Sequence, residues 1–451
     1  MSRAGVRPAP APLPDLGPPS RVRPLRVSDR TLASGLRVLA VRRSGTPLVE
    51  LRLRVPFASM SKTYPARSSL LSAALLTGTG ARSRVALAED LQRLGADLSV
   101  GSDADRLMIS GTTLATGLGG LLDILGDVLT GAAYPAREVT AERGRLVERL
   151  SLARSQPGLV VREVLDRRIF GGHPYAAETP TAEAVNDVAA PAVRRLHHDR
   201  VAPTGSVLVL VGDISPARAL DAVEAALSSW RTGADAVLLP ACPPIEPGPA
   251  LLVDRAGSVQ SSIRLAGTAL PRTDPGYPAL QLANLVYGGY FSSRLTENIR
   301  EDKGYSYTPI SRIDHGVAGS TLVTQADVAT EVTAPALVEI GYELGRMATR
   351  PVGAHELDTA RQYAIGTLAL SIATQAGLAS MLAALTPDGL DAEWLRSHPA
   401  RLATVTVDEV AEQAARHLAP GRMATVVLGD VAAIRDALAV LGPVIEEAPA
   451  R

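Results

Sequence analysis

Two segments more than two hundred residues apart carry the same short pattern, and that repetition constrains the fold more than any single motif. Val207–Ile214 (VLVLVGDI) is an apolar run closed by Gly-Asp, followed by a helical pattern over Ser215–Trp230. Thr425–Asp430 (TVVLGD) repeats it and is followed by the helical pattern Val431–Leu441. Asp213 and Asp430 lie 217 residues apart. Upstream, Thr63-Tyr64-Pro65-Ala66 and Gly276-Tyr277-Pro278-Ala279 each open an apolar helix-like run, with Pro65 and Pro278 offset by 213 residues. Each run follows a strand-like segment, Leu48–Val55 or Ser261–Gly267. Matched landmarks in the same order predict a tandem duplication.

The duplication divides the chain into domains at 30–235 and 250–445. A linker at 236–249 carries Pro240, Pro243, Pro244, Pro247 and Pro249, a poor stretch for helix or central strand. Residues 1–29 are rich in proline and read as a flexible arm, with no apolar core of a signal peptide. Within the first half, Arg37–Arg42 and Leu48–Val55 read as adjacent strands around Ser44-Gly45-Thr46-Pro47. Helical patterns follow at Ala86–Leu94, Gly117–Leu129 and Ala136–Ser155. Segregated runs of strands and helices predict α+β halves, each with helices on one face of a mainly antiparallel sheet.

Charge and cysteine usage narrow the function classes. Lys+Arg and Asp+Glu both number 46, so no basic field is available for a nucleic-acid backbone. The single Cys242 excludes a disulfide framework and a thiolate metal cage. No run of 18 apolar residues is present, so no membrane span and a cytoplasmic protein are expected.

A search for catalytic chemistry is mostly negative. There is no Gly-Lys dipeptide and hence no P-loop, and no G-x-S-x-G elbow. Thr77-Gly78-Thr79-Gly80 ends an apolar helix rather than starting one, which suits a capping role. The seven histidines, His173, His197, His198, His315, His355, His398 and His417, show no H-x-x-x-H or H-x-x-E-H spacing and read as surface or capping residues. One segment stands apart: Gly288–Pro309 (GGYFSSRLTENIREDKGYSYTP). It reads as Gly pairs, a short amphipathic helix carrying Arg294, Glu297 and Arg300, a turn at Gly304, and a strand over Tyr305–Ile313. An Arg and a Tyr flanking such a turn suit the polarisation of a carbonyl. The plainer alternative pairs the arginine with Glu297 or Glu301 and packs the tyrosine on the sheet. Phe291, Ser292 and Ser293 read as helix-start and packing positions, with the lining of a chamber as the alternative.

At this segment the sequence resembles the pitrilysin/insulinase (M16) metallopeptidases, above all the two-domain chains of the mitochondrial-processing-peptidase-like (M16B) branch. The resemblance covers about residues 30–440. Thr31–Arg43 is similar to the family's opening strands, Gly172–Pro180 (GHPYAAETP) to its H-P-Y segment, and Val207–Asp213 to its closing strand. Phe291–Tyr307 is similar to its R/Y signature, an Arg followed seven residues on by a Tyr, here Arg300 and Tyr307. The family's zinc motif H-x-x-E-H aligns with Ser69–Thr79, where its two His and its Glu fall on Ser69, Ala73 and Ser72. The further glutamate ligand falls on Arg149, with Glu148 one position away.

The resemblance therefore implies two tandem M16-type α/β-sandwich domains and no metal or other cofactor in this chain. It implies the R/Y-bearing, non-catalytic subunit of a heterodimer whose partner carries H-x-x-E-H and zinc. The substrate is then a peptide, added as a strand to a sheet edge of the partner, with Arg300 and Tyr307 hydrogen-bonding its carbonyl or oxyanion. Leader peptides of ribosomally made natural products and general peptide turnover both fit. Two other readings stand beside it: a structural subunit without catalytic residues, and a self-contained hydrolase with a site assembled only in three dimensions.

Overall fold

The structure is a computed structural model and describes residues 25–231 and 238–447. Most of the expected arm, and residues 236–237 of the expected linker, lie outside the described residues. The last residues assigned to the arm are already in a strand, Arg26–Thr31.

Each half builds one six-stranded sheet. The first contains β1 (Arg26–Thr31), β2 (Arg37–Arg42), β3 (Leu48–Pro56), β4 (Asp97–Ser102), β5 (Arg106–Leu114) and β6 (Val207–Gly212), in the order β1-β2-β6-β3-β5-β4. The second contains β7 (Ala250–Asp254), β8 (Gln260–Ala269), β9 (Ile310–Gly316), β10 (Gly319–Ala329), β11 (Ala424–Gly429) and β12 (Val444–Glu446), in the order β12-β7-β11-β8-β10-β9. The pairs β2/β7, β6/β11, β3/β8, β5/β10 and β4/β9 thus hold equivalent places. Parallel pairing is confined to β2–β6, β7–β11 and β7–β12.

The register carries the repeat down to single residues. Arg52 on β3 lies opposite Val209 on β6, and Arg264 on β8 lies opposite Val426 on β11, again 217 residues on from Val209. The shared Gly-Asp has a steric cause. A Cβ on Gly212 would come within 2.7 Å of Val49 Cα, and one on Gly429 within 2.5 Å of Ser261 Oγ. Both strands therefore end at a glycine because the neighbouring strand leaves no room for a side chain.

One face of each sheet packs on helices of its own half. Val49, Leu51 and Leu53 of β3 join Leu70 and Leu71 of the Tyr64–Ala74 helix and Leu121, Leu122 and Leu125 of the Leu118–Gly131 helix in the first core. Ile263 and Leu322 join Leu280, Ile340 and Leu344 in the second.

The other face departs from the expectation of helices on one face only. Leu378, Leu382 and Leu385 of the Gln375–Leu385 helix, from the second half, pack on Leu39, Val41, Val207, Val209 and Val211 of the first sheet. Reciprocally, Val161, Val164, Leu165 and Phe170 of the Pro157–Phe170 helix, from the first half, pack on Ala266, Val323, Val426 and Leu428 of the second. Both faces of β6 and β11 are therefore covered, which accounts for their continuous apolar sequence. Among the described residues no single helix is long and apolar enough to cross a membrane.

Candidate functional site

The Gly288–Pro309 segment is held in place by buried anchors and offers the remaining side chains to solvent. Its backbone winds through two π-helical turns, Leu285–Gly289 and Glu297–Asp302, around one α-turn at Arg294–Thr296. Ser293 caps that turn, its hydroxyl accepting the Thr296 N–H at 3.3 Å, in agreement with its reading as a helix-start residue. Leu295 and Ile299 are fully buried in the second core. Arg294 donates twice to Glu356, at 2.7 Å each, tying the segment to the Ala354–Ser371 helix. Asn298 Nδ2 donates to Glu339 and Glu343, at 2.9 and 2.8 Å, tying it to the Thr333–Thr349 helix. With positions 294, 295, 298 and 299 committed inward, Arg300 is left on the outer side.

The turn after it has its own fixings. Gly304 has φ +66°, a conformation that favours glycine, and its N–H donates to Arg300 O at 3.1 Å. The Tyr305 N–H donates to Ile299 O at 2.8 Å, and the buried Ser306 hydroxyl donates to Asp327 O at 2.8 Å. Tyr307 follows at 78% exposure. The expected strand over Tyr305–Ile313 therefore begins later, at Ile310, because Tyr305 and Ser306 bond to the helix end and to β10 instead of a neighbour in register.

These fixings bring Arg300 and Tyr307 together. The Arg300 guanidinium carbon lies over the Tyr307 ring and over the Phe291 ring, 4.8 Å from the centre of each. Its Nε is 3.2 Å from Glu301. The plainer alternative is thus right about a glutamate partner and wrong about the tyrosine, which stands off the sheet. Phe291 is also not a packing position. It is 63% exposed and forms one wall of the cation's cage. Beside it, Tyr290 and Tyr363 stack with ring centres 5.1 Å apart. Sequence reasoning missed Phe291 as a partner of Arg300 because it lies nine residues upstream, beyond any regular helical spacing.

The positions aligned with the zinc motif lie on and near the Tyr64–Ala74 helix. Ser69, Ser72 and Ala73 are half-buried. The Ser72 hydroxyl donates to Ser69 O at 3.0 Å and accepts from Ser102 of β4 at 3.3 Å. Arg149 and Glu148 are both exposed on the Ala136–Arg154 helix. A methyl and two hydroxyls, with either the guanidinium of Arg149 or the lone carboxylate of Glu148, do not fit zinc, which takes several imidazole, thiolate or carboxylate ligands. Among the described residues no group of three or more His, Cys, Asp or Glu is placed to hold a metal.

The histidines match the expected surface and capping set in part: His198 and His355 are exposed, whereas His197 and His398 are buried. His173 does cap, its Nδ1 accepting the Tyr175 N–H at 3.2 Å, though it is buried. His197 sits in the first core between the Tyr134 hydroxyl and Leu129 O, and His398 stacks on Trp394 and meets Gln281. Burial lowers the pKa of His197 and takes that of His398 down to about 4. Both follow from packing between segments far apart in sequence.

Comparison with known proteins agrees with this architecture. The family profile "Insulinase (Peptidase family M16)" matches residues 38–182, and "Peptidase M16 inactive domain" matches residues 187–363. An uncharacterized zinc protease of Streptomyces coelicolor is 26% identical over 250 residues, 52% of this chain and 53% of that relative, so the match spans about half its length. Subunit 1 of the mitochondrial cytochrome b-c1 complex of Caenorhabditis elegans is 29% identical over 136 residues, 30% of this chain and 29% of that one. The crystal structure of a peptidase M16 inactive domain from Pseudomonas fluorescens superposes with a TM-score of 0.83 at 23% identity, covering 94% of this chain and all of that one. With one profile on the first half and the other running from its end into the second, the chain belongs to peptidase family M16.

Proposed function

We propose that this chain is the arginine- and tyrosine-bearing subunit of a two-chain M16 peptidase, inactive alone, whose partner carries the H-x-x-E-H motif and the zinc. The observation that carries the reading is the caged Arg300. Its guanidinium lies over two exposed rings, one of them a tyrosine whose hydroxyl can reach a second chain. Both groups are hydrogen-bond donors, and donors fixed in advance stabilise negative charge developing on a peptide carbonyl oxygen. That zinc does not fit at Ser69, Ser72, Ala73 and Arg149 supports a reading in which a partner supplies the metal. The substrates in this reading are peptides, leader peptides of ribosomally made natural products among them.

The test is reconstitution with an H-x-x-E-H chain recovered by affinity capture from the native host. Tyr307→Phe is expected to lower turnover of the assembled complex by about 10²–10³-fold, with assembly unchanged. An unaltered rate would remove Tyr307 from the reaction. A structural subunit is the second reading, favoured by the stretch resembling the cytochrome b-c1 subunit. Capture of membrane-complex subunits in place of an H-x-x-E-H chain would select it.

A further inference from the structure

A pocket of about 450 Å³ opens between the start of the Tyr64–Ala74 helix and the Ala190–Arg200 helix. Arg67, Arg195 and Arg200 line it, with Asp199, Ser59 and Tyr64. Arginines elsewhere in this chain are mostly paired, as Arg54 is with Asp105, Arg82 with Asp90 and Arg294 with Glu356. The three in this pocket have no ion pair among the described residues. Asp199 does not answer them, because its carboxylate meets His198 Nδ1 at 3.0 Å.

A neutral donor stands beside the arginines. Ser59 Oγ accepts the Ser61 N–H at 3.2 Å, which leaves its own proton to donate.

We propose that this pocket binds a phosphate group, free or as the monoester of a small molecule. Three guanidiniums against one carboxylate leave a charge of +2, matching the roughly −1.5 to −2 of a phosphate monoester near neutral pH. Guanidinium forks suit phosphate oxygens, and the Ser59 hydroxyl supplies a neutral donor beside them. The cavity is larger than a bare phosphate requires and leaves room for the organic part of a monoester. The proposal does not depend on the role of Arg300 and Tyr307.

The test is isothermal titration of the full chain with inorganic phosphate, with glycerol 3-phosphate, and with acetate at matched ionic strength. One saturable site is expected for both phosphate probes and none of comparable affinity for acetate. Tighter glycerol 3-phosphate identifies an organic monoester as the ligand; equal affinities identify free phosphate. Arg195→Ala, at an exposed position, is expected to weaken binding about tenfold or more. Arg67→Ala, also at an exposed position, is expected to weaken phosphate binding while the unliganded chain stays folded. No saturable binding of either phosphate probe, acetate binding as tight as phosphate, or unchanged affinity in Arg195→Ala would each overturn the proposal.

Discussion

A guanidinium on a protein surface ordinarily samples many rotamers, and Arg300 is held against two flat rings instead. Each ring contact of this kind contributes modestly where solvent reaches it. The gain lies in direction, since a donor fixed before the substrate arrives needs no reorganisation during the reaction. In the proposed peptidase Phe291 is then a positioning residue. In the reconstituted peptidase, Phe291→Ala is expected to lower kcat about threefold to tenfold with KM little changed, and Phe291→Tyr to restore it. An Ala variant that turns over like the parent would show that Tyr307 and Glu301 orient Arg300 unaided. The spacing of Arg300 and Tyr307 was legible in the sequence because it spans a single turn. The supports were not: Glu356 lies 62 residues from the Arg294 it holds, and the π-helical winding that turns Arg300 outward has no compositional signature.

Among the elements, the exchanged helices explain what a reading of each half by itself leaves out. The strand runs at 207–212 and 424–429 were legible because burial on both faces writes a continuous apolar sequence. What covers the second face was not, since the Gln375–Leu385 helix lies far along the chain from the sheet it packs on. Nor does the apolar character of that helix mark a membrane span, because its leucines are consumed by this contact. Leu382 is fully buried there, against the first sheet. Leu382→Ala is expected to destabilise the chain by about 2–5 kcal/mol, read as a lower urea midpoint. Leu370, exposed near the end of the preceding helix, serves as the control, its alanine variant moving stability by less than about 0.5 kcal/mol. Equal effects at both positions would mean that the exchanged helix contributes little to holding the halves together.

At the scale of the whole molecule, the exchange leaves a cavity of about 290 Å³ on the seam, and charged groups from both halves line it. Asp103, Asp166 and Glu178 come from the first half, and Arg264, Arg312, Asp314 and His315 from the second. Burial pushes the Asp166 carboxyl up to about 6, with Glu178 adding to the rise and Arg162, 3.5 Å away, opposing it. In the unfolded chain the same group titrates near 3.8. Between these two values the folded chain holds a proton that the unfolded chain has lost, so Asp166 favours folding as pH falls from about 7 towards 4. Burial acts on His315 and His398 with the opposite sign. Their folded values of about 3 and about 4 lie below the ordinary 6.5, so they favour folding above that pH and lose their contribution as it falls. A single stability profile mixes the two trends, and a difference profile separates them. Asp166→Asn is expected to be more stable than the parent at pH 7.5, by on the order of 2 kcal/mol, with the advantage gone by about pH 4. The histidines cancel in that difference. A variant less stable than the parent at pH 7.5 would show that the ion pair with Arg162 outweighs the cost of burial, and that the seam is held by its charges more than it is strained by them.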